Sequence, residues 1–250
     1  MKMNEDIKQK LSYLRLKGLL ENWDRYLEVA RKEEYSHGRL LKTIIEEEYA
    51  TRRENSRKMR LQRAKIPEKL ILETFPFQRQ AKLNKRKIMG IYDAFDYMTK
   101  QQNIIWIGTT GTGKTGLATA FLMNAINQGF SGYFILFADL IEQLYQSIAD
   151  GSEGKLIKKL AAYDCLLIDE MGYVEIEPVQ VGLFFMLMHK RHKMKSTLIT
   201  SNLVFSEWTS FLKNDQLTAA LIDRLTENSH VINMKGCLSL RTKLASKNSI

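Results

Sequence analysis

Ile104-Ile105-Trp106-Ile107-Gly108-Thr109-Thr110-Gly111-Thr112-Gly113-Lys114-Thr115 is the stretch on which the fold turns. Four apolar residues that suit a buried strand run into Gly108–Thr115, which fills every fixed position of G-x-x-x-x-G-K-[ST]. A helix is predicted near 114–127. Strand, glycine-rich turn and helix in that order describe a phosphate-binding loop. The glycines let the backbone curl with its N–H groups inward, and the helix N-terminus adds partial positive charge. On this reading Gly108, Thr109, Thr110, Gly111, Thr112, Gly113, Lys114, Thr115 and Gly116 hold a nucleotide. Lys114 reaches its β- and γ-phosphates and Thr115 ligates Mg²⁺.

About 55 residues further on, Cys165-Leu166-Leu167-Ile168 runs into Asp169-Glu170. Carboxylates at the C-terminal end of a strand lie at the ligand edge of a parallel sheet. Asp169 is therefore expected to hold Mg²⁺, and Glu170 to orient and deprotonate an attacking water. A third apolar run, Thr197-Leu198-Ile199-Thr200, ends in Ser201-Asn202. Asn202 can there hydrogen-bond the γ-phosphate or the water, or can simply be a turn residue.

Outward from these strands the chain alternates. Further strands are expected at Tyr133-Phe134-Ile135-Leu136 and Val231-Ile232, and helices near 139–149, 154–162, 178–194 and 216–226. Alternation of this kind implies an α/β fold, a parallel sheet covered on both faces. Before residue 103 the pattern is helical. Ile7, Leu11, Leu14, Leu19, Trp23 and Leu27 form one apolar stripe. After Ser36, a plausible N-cap, Leu40, Leu41, Ile44, Ile45 and Tyr49 form a second, ended by Ile66-Pro67. Glu48 and Arg52 stand four apart in the order that favours a helical ion pair. The chain thus divides into a helical N-terminal domain (1–65), a basic connecting segment (66–102) and an α/β domain (103–250).

Charge is concentrated. Residues 52–87 carry 13 basic and three acidic side chains, a net +10 that equals the net charge of all 250 residues. Residues 101–250 are close to neutral, with 14 basic and 13 acidic groups. A one-sided run of this kind is the footprint of a polyanion partner. Arg52, Arg53, Arg57, Lys58, Arg60 and Arg63 are the candidate DNA contacts, with Lys155, Lys158 and Lys159 as a second group.

Several classes are excluded. No run approaches the ~20 apolar residues of a membrane span, and no signal-peptide core follows Met1. Two cysteines make neither a disulfide framework nor a zinc site, and a reducing cytoplasm is the expected compartment. The four histidines show no metal spacing. His189 and His192 read as part of a surface basic cluster with Lys190, Arg191, Lys193 and Lys195. Met186, Met188 and Cys165 read as core.

Together these motifs resemble the AAA+ ATPases, and within them the IstB/DnaC group, most closely IstB-type helpers of insertion-sequence transposition. Leu167-Ile168-Asp169-Glu170-Met171-Gly172-Tyr173 is similar to that family's LIIDELGY. Ser196–Asn202 with Phe205 and Trp208 resembles its ST-ILTSN…F..W stretch, and Leu221-Ile222-Asp223-Arg224-Leu225 its ILDRL. Leu16-Lys17-Gly18 and Phe75-Pro76-Phe77 are similar too. The resemblance implies ATP and Mg²⁺ as ligands and Asn202 as sensor 1. It makes Arg224 an arginine finger acting in a neighbouring subunit's site, hence a homo-oligomer. Arg241, in Ser239-Leu240-Arg241, falls near the family's Ser-Tyr-Arg as a sensor-2-like contact. Thr109-Thr110 stands where the family usually has proline, and too few residues follow the last strand for a helical lid. The implied function is an ATPase that assembles on double-stranded DNA and assists a transposase. A DnaC-type helicase loader and a DNA scaffold using ATP only as glue are the alternatives.

Overall fold

The computed structural model describes residues 3–241. The chain divides after Met59 into two compact units.

The first unit is helical. α1 (Glu5–Tyr13) is capped by Asn4, whose side chain accepts the Ile7 N–H at 2.8 Å. The stripe expected to run unbroken to Leu27 is interrupted, because Arg15 adopts φ +58° and a new helix, α2 (Lys17–Lys32), begins. α3 (His37–Arg63) starts from Ser36, whose hydroxyl accepts the Arg39 N–H at 3.3 Å. Glu48 does not serve the expected pair with Arg52. It is buried, and its Oε2 accepts the Leu19 N–H at 3.0 Å, in the first turn of α2. The residue before α2, Leu16, offers no side-chain cap, so a carboxylate from α3 satisfies one of the free donors. Gly18 makes this possible: a Cβ there would lie 2.6 Å from Glu48 Oε2. Three of the five residues of the second apolar stripe face outward, with Leu41, Ile45 and Tyr49 60%, 66% and 65% exposed.

The second unit is built on five parallel strands. They are β1 (Asn103–Ile107), β2 (Gly132–Leu136), β3 (Cys165–Met171), β4 (Ser196–Ser201) and β5 (Ser229–Asn233), in the order β2-β3-β4-β1-β5. α6 (Lys114–Asn127), α7 (Phe137–Gln146), α8 (Glu153–Ala162), α9 (Pro178–Arg191), α10 (Phe205–Leu212) and α11 (Asp215–Thr226) connect them. Alternate β1 side chains enter opposite cores, as strand geometry requires. Ile104 and Trp106 join Leu117 and Phe121 of α6, whereas Ile105 and Ile107 join Phe137, Phe184, Trp208 and Leu225 on the other face.

Residues 66–102 are not a connector. They hold two 3₁₀ turns, Leu72–Thr74 and Phe77–Arg79, and two helices, α4 (Lys85–Ala94) and α5 (Asp96–Thr99). Leu72, Phe75, Ile88, Ile91, Tyr97 and Met98 are buried in the core beside α6. The many basic side chains of this segment mask its apolar period in the sequence. α10 is likewise additional to the expected helices; its Trp208 is fully buried. Among the described residues no helix follows β5.

Two smaller expectations need correction. Arg191 is no surface residue. It is 1% exposed, and its guanidinium donates to the carbonyls of Leu160, Ala161, Tyr163 and Ser196 and to Thr197 Oγ1. Burial pulls its pKa down to about 10. Met186 is 47% exposed, while Met188 and Cys165 are buried as expected.

Candidate active site

β1 lies between β4 and β5, so the loop that leaves its C-terminal end emerges mid-sheet. Gly108 N–H donates to Ser201 O at 3.1 Å, which pins the start of the loop to β4. A Cβ on Gly108 would strike Met234 at 2.9 Å, so glycine is required where the loop passes the end of β5. Gly111 and Gly113 have φ of +81° and +97°, the left-handed region glycine occupies without strain. α6 then starts at Lys114. The Lys114 ammonium is buried and donates to Gly108 O at 2.6 Å and Thr109 O at 2.9 Å. Burial lowers its pKa, and the Asp169 and Glu170 carboxylates oppose that shift.

The two acids owe their placement to an irregularity in β3. Ile168 pairs with Ile199 and Met171 with Ser201, so Asp169 and Glu170 together oppose the single residue Thr200. This is a β-bulge, which re-aims side chains at a sheet edge. Glu170 takes φ +62° there. The buried Thr200 hydroxyl holds the bulge, donating to Asp169 Oδ1 at 2.5 Å and accepting the Glu170 N–H at 3.0 Å. Asp169 is buried and Glu170 exposed. Burial pushes the Asp169 carboxyl up, against the hydroxyl bonds from Thr200 and Thr115.

Thr115 Oγ1 lies 3.0 and 3.1 Å from the two Asp169 oxygens. An uncharged hydroxyl and a carboxylate at this separation are hard oxygen donors of the kind Mg²⁺ takes, usually with only one or two protein carboxylates. No cluster of three or more His, Cys, Asp or Glu suited to a metal occurs among the described residues.

A cavity of about 330 Å³ is lined by Lys114, Thr115 and Glu170, while the buried Asp169 lies outside its lining and meets Thr115. Thr110, Gly111, Gly113, Lys114, Thr115, Gly116, Glu170 and Arg241 of the expected set line it. Glu68, Leu70, Phe75, Tyr173, Thr200 and Leu240 line it as well, and sequence reasoning assigned none of these a role. Leu70, Phe75 and Leu240 add apolar surface to the cavity beside the phosphate loop. Phe75, Tyr173, Thr200 and Leu240 stand in the family-like stretches of the sequence, whereas Glu68 and Leu70 carried no signal. Tyr173 reaches across to Thr110, hydroxyl to hydroxyl at 2.6 Å. Gly108, Thr109 and Thr112 shape the loop without lining the cavity. Thr112 is fully buried and donates to Thr109 O at 3.0 Å.

Asn202 and Arg224 lie outside the lining. The Asn202 side-chain oxygen is buried without a hydrogen-bond partner and sits over Gly172, where a Cβ would collide with it. Arg224 stacks over Phe185 at 4.8 Å and donates to His189 Nδ1 at 3.3 Å and Ala220 O at 2.9 Å. His189 and His192 are thus tied to α11, since His192 Nδ1 also lies 3.1 Å from Arg224 O. Of the candidate DNA contacts, Arg52, Arg53, Lys58, Arg63, Lys155, Lys158 and Lys159 are exposed and Arg60 is half-buried. Arg57 is half-buried and forms a two-pronged bond to Glu54 at 2.7 and 2.8 Å.

Among solved structures, the DnaC helicase loader matches 59% of this chain and 86% of its own, with a TM-score of 0.51 at 23% identity. The replication initiator DnaA bound to AMPPCP and single-stranded DNA matches 68% of this chain and 50% of its own, with a TM-score of 0.55 at 18% identity. These likenesses establish the AAA+ P-loop fold. The protein named for ATP binding in insertion sequence IS5376 of Geobacillus stearothermophilus is 31% identical over 94% of this chain and 93% of its own. Its counterpart in IS232 of Bacillus thuringiensis subsp. berliner is 28% identical over 90% of each. The family model for IstB-like ATP binding proteins matches residues 9–248, and the chain therefore belongs to that family.

Proposed function

We propose that this protein is a Mg²⁺-dependent AAA+ ATPase that assembles on double-stranded DNA and assists the transposase of an insertion sequence. The observation that carries the ATPase reading is the meeting of Lys114, Thr115 and Glu170 at one cavity, with Asp169 within hydrogen-bond distance of Thr115. The loop N–H groups, the Lys114 ammonium and the α6 N-terminus bind the phosphates of ATP. Thr115 and Asp169 would hold Mg²⁺, which when bound neutralises charge on the β- and γ-phosphates. Glu170 takes a proton from water as the water oxygen bonds the γ-phosphorus. The bond to the β,γ-bridging oxygen breaks, and ADP and phosphate leave. Asn202 is assigned to orient that water on its place at the end of β4.

Arg224, remote from its own cavity, is assigned to a neighbouring subunit's site, which makes the active site composite. The outward Leu41, Ile45 and Tyr49 stripe is apolar surface that assembly would cover. The exposed basic residues of α3 and α8 are assigned to DNA phosphates. Among the described residues no helix is long and apolar enough to cross a membrane, and we assign the protein to the cytoplasm. The helicase-loader reading draws on the DnaC likeness. That likeness spans 59% of the chain, whereas the insertion-sequence relatives span at least 90%.

The test is a pair of variants. Lys114→Ala removes the one full positive charge of the loop and abolishes nucleotide binding. Glu170→Gln keeps ATP and DNA binding and loses turnover by roughly 10²–10⁴-fold. Wild-type turnover in Glu170→Gln overturns the catalytic assignment. Absence of any turnover in the wild type, with or without DNA, leaves the scaffold reading.

A further inference from the structure

The phosphate loop presents N–H groups on one side and carbonyls on the other, and two of those carbonyls are held by distant parts of the chain. Leu240 N–H donates to Gly111 O at 2.7 Å. Gln80 Nε2 donates to Thr112 O at 3.0 Å and to Leu238 O at 2.7 Å, and its Oε1 accepts the Leu238 N–H at 3.0 Å. Gln80 is 0% exposed, so water does not replace any of these bonds. Phe75 and Leu240 close on Gly113, and Ser239 closes on Gly111, leaving no room for a Cβ at either glycine.

In a trans peptide the carbonyl of one residue and the N–H of the next point in opposite directions. Holding Gly111 O toward Leu240 and Thr112 O toward Gln80 turns the Thr112 and Gly113 N–H groups the other way, to the side from which a phosphate is bound. Glycine-flanked peptides reorient at little steric cost, so a loop without these anchors samples other orientations. We propose that Gln80 is a positioning residue for the nucleotide: it fastens residues 237–241 to the outer face of the phosphate loop and thereby aims the loop's N–H groups. The same fastening brings Arg241 to the cavity, near enough for its charge to lower the Lys114 pKa. This inference rests on the ATP-binding reading above. It adds that the segment after β5 is part of the binding site and senses its occupancy, because coupling between two sites is reciprocal.

The experiment combines calorimetric titration of the full chain with a non-hydrolysable ATP analogue and Mg²⁺, amide hydrogen exchange, and thermal unfolding. In the wild type, saturating analogue slows exchange of the Leu240 amide about tenfold, the scale of one hydrogen bond's net worth. Gln80→Leu matches the side chain in size and removes all three bonds. It binds the analogue about tenfold more weakly, and its Leu240 amide no longer responds to the analogue. Leu240→Pro removes the other anchor without touching Gln80 and weakens binding by a similar factor. A purely structural Gln80 would lower the unfolding temperature while leaving affinity and the Leu240 response intact; that result overturns the proposal. So does a wild type that binds the analogue with no change at Leu240. If Gln80→Leu does not fold, the wild-type exchange and Leu240→Pro still decide. A wild type that binds no nucleotide overturns the ATPase reading itself, an outcome distinct from binding that ignores the anchors.

Discussion

The Thr200 hydroxyl donates to Asp169 Oδ1 at 2.5 Å from the facing strand, and the same oxygen accepts the Glu170 N–H at 3.0 Å. One side chain therefore orients the proposed Mg²⁺ ligand and holds the backbone turn that presents the proposed base. Thr200→Val keeps the shape and removes both bonds. It is expected to reduce turnover by about tenfold or more, the scale of one or two lost hydrogen bonds, with ATP affinity little changed. Thr200→Ser restores the hydroxyl and is expected to restore turnover. Steady-state kinetics on both variants decide; normal turnover in Thr200→Val with loss in Thr200→Ser would mean that the methyl group's packing, not the hydroxyl, matters.

Arg224, on α11, stacks on Phe185 and donates to His189, both of α9. Arg224→Ala is expected to leave nucleotide binding near normal and to reduce turnover. A finger supplied in trans is worth about 10³–10⁵ in rate. Lys114→Ala subunits retain Arg224, and Arg224→Ala subunits retain an intact phosphate loop. Mixing the two inactive proteins is expected to restore part of the activity. Failure of rescue in mixed oligomers shown to form would place Arg224 in its own subunit's architecture.

Replacing Arg52, Arg53, Arg57, Lys58 and Arg60 with Gln removes five charges while keeping helix propensity. Duplex affinity is expected to fall for all sequences alike, since phosphate contacts carry no base information. Each lost phosphate contact should make the log–log salt dependence shallower by about 0.9. Arg57 is already paired with Glu54 and should contribute least. An unchanged salt slope together with lost DNA-free assembly would identify this stretch of α3 as a docking surface instead.

Arg191 ties the C-terminal end of α8 to β4 from a fully buried position. Its hydrogen bonds go to carbonyls and to the Thr197 hydroxyl, the Asp164 carboxylate favours its charge, and helix C-termini favour cations. Arg191→Met leaves several buried carbonyls unpaired and is expected to cost about 3–5 kcal/mol of stability. Arg191→Lys, with one donor group in place of a fork, is expected to recover only part of that. Denaturant unfolding measures both; a cost below about 1 kcal/mol would show that water takes over the bonds.

The sequence by itself determined the elements whose signal is local. Buried parallel strands are largely apolar runs, so β1, β3 and β4 were legible to within one to three residues at their ends. The phosphate loop was legible because its glycines and its lysine must stand at fixed spacing along one turn. Asp169-Glu170 was legible because acids at the end of such a strand stand out. Tertiary structure alone decided what depends on residues far apart in the chain. The apolar face of 66–102 is diluted by lysines and arginines, and only packing against α6 reveals Leu72, Phe75 and Tyr97 as core. A helical period predicted an ion pair for Glu48; the free donors of α2 claimed it, through a gap left by Gly18. Arg191 looked like one cation among several until the carbonyls of α8 and β4 surrounded it. Gln80, between two basic residues' worth of charge, has no pattern to announce it. Its proposed role arises because a buried amide both donates and accepts, and the fold brings the phosphate loop and the backbone of Leu238 to it together.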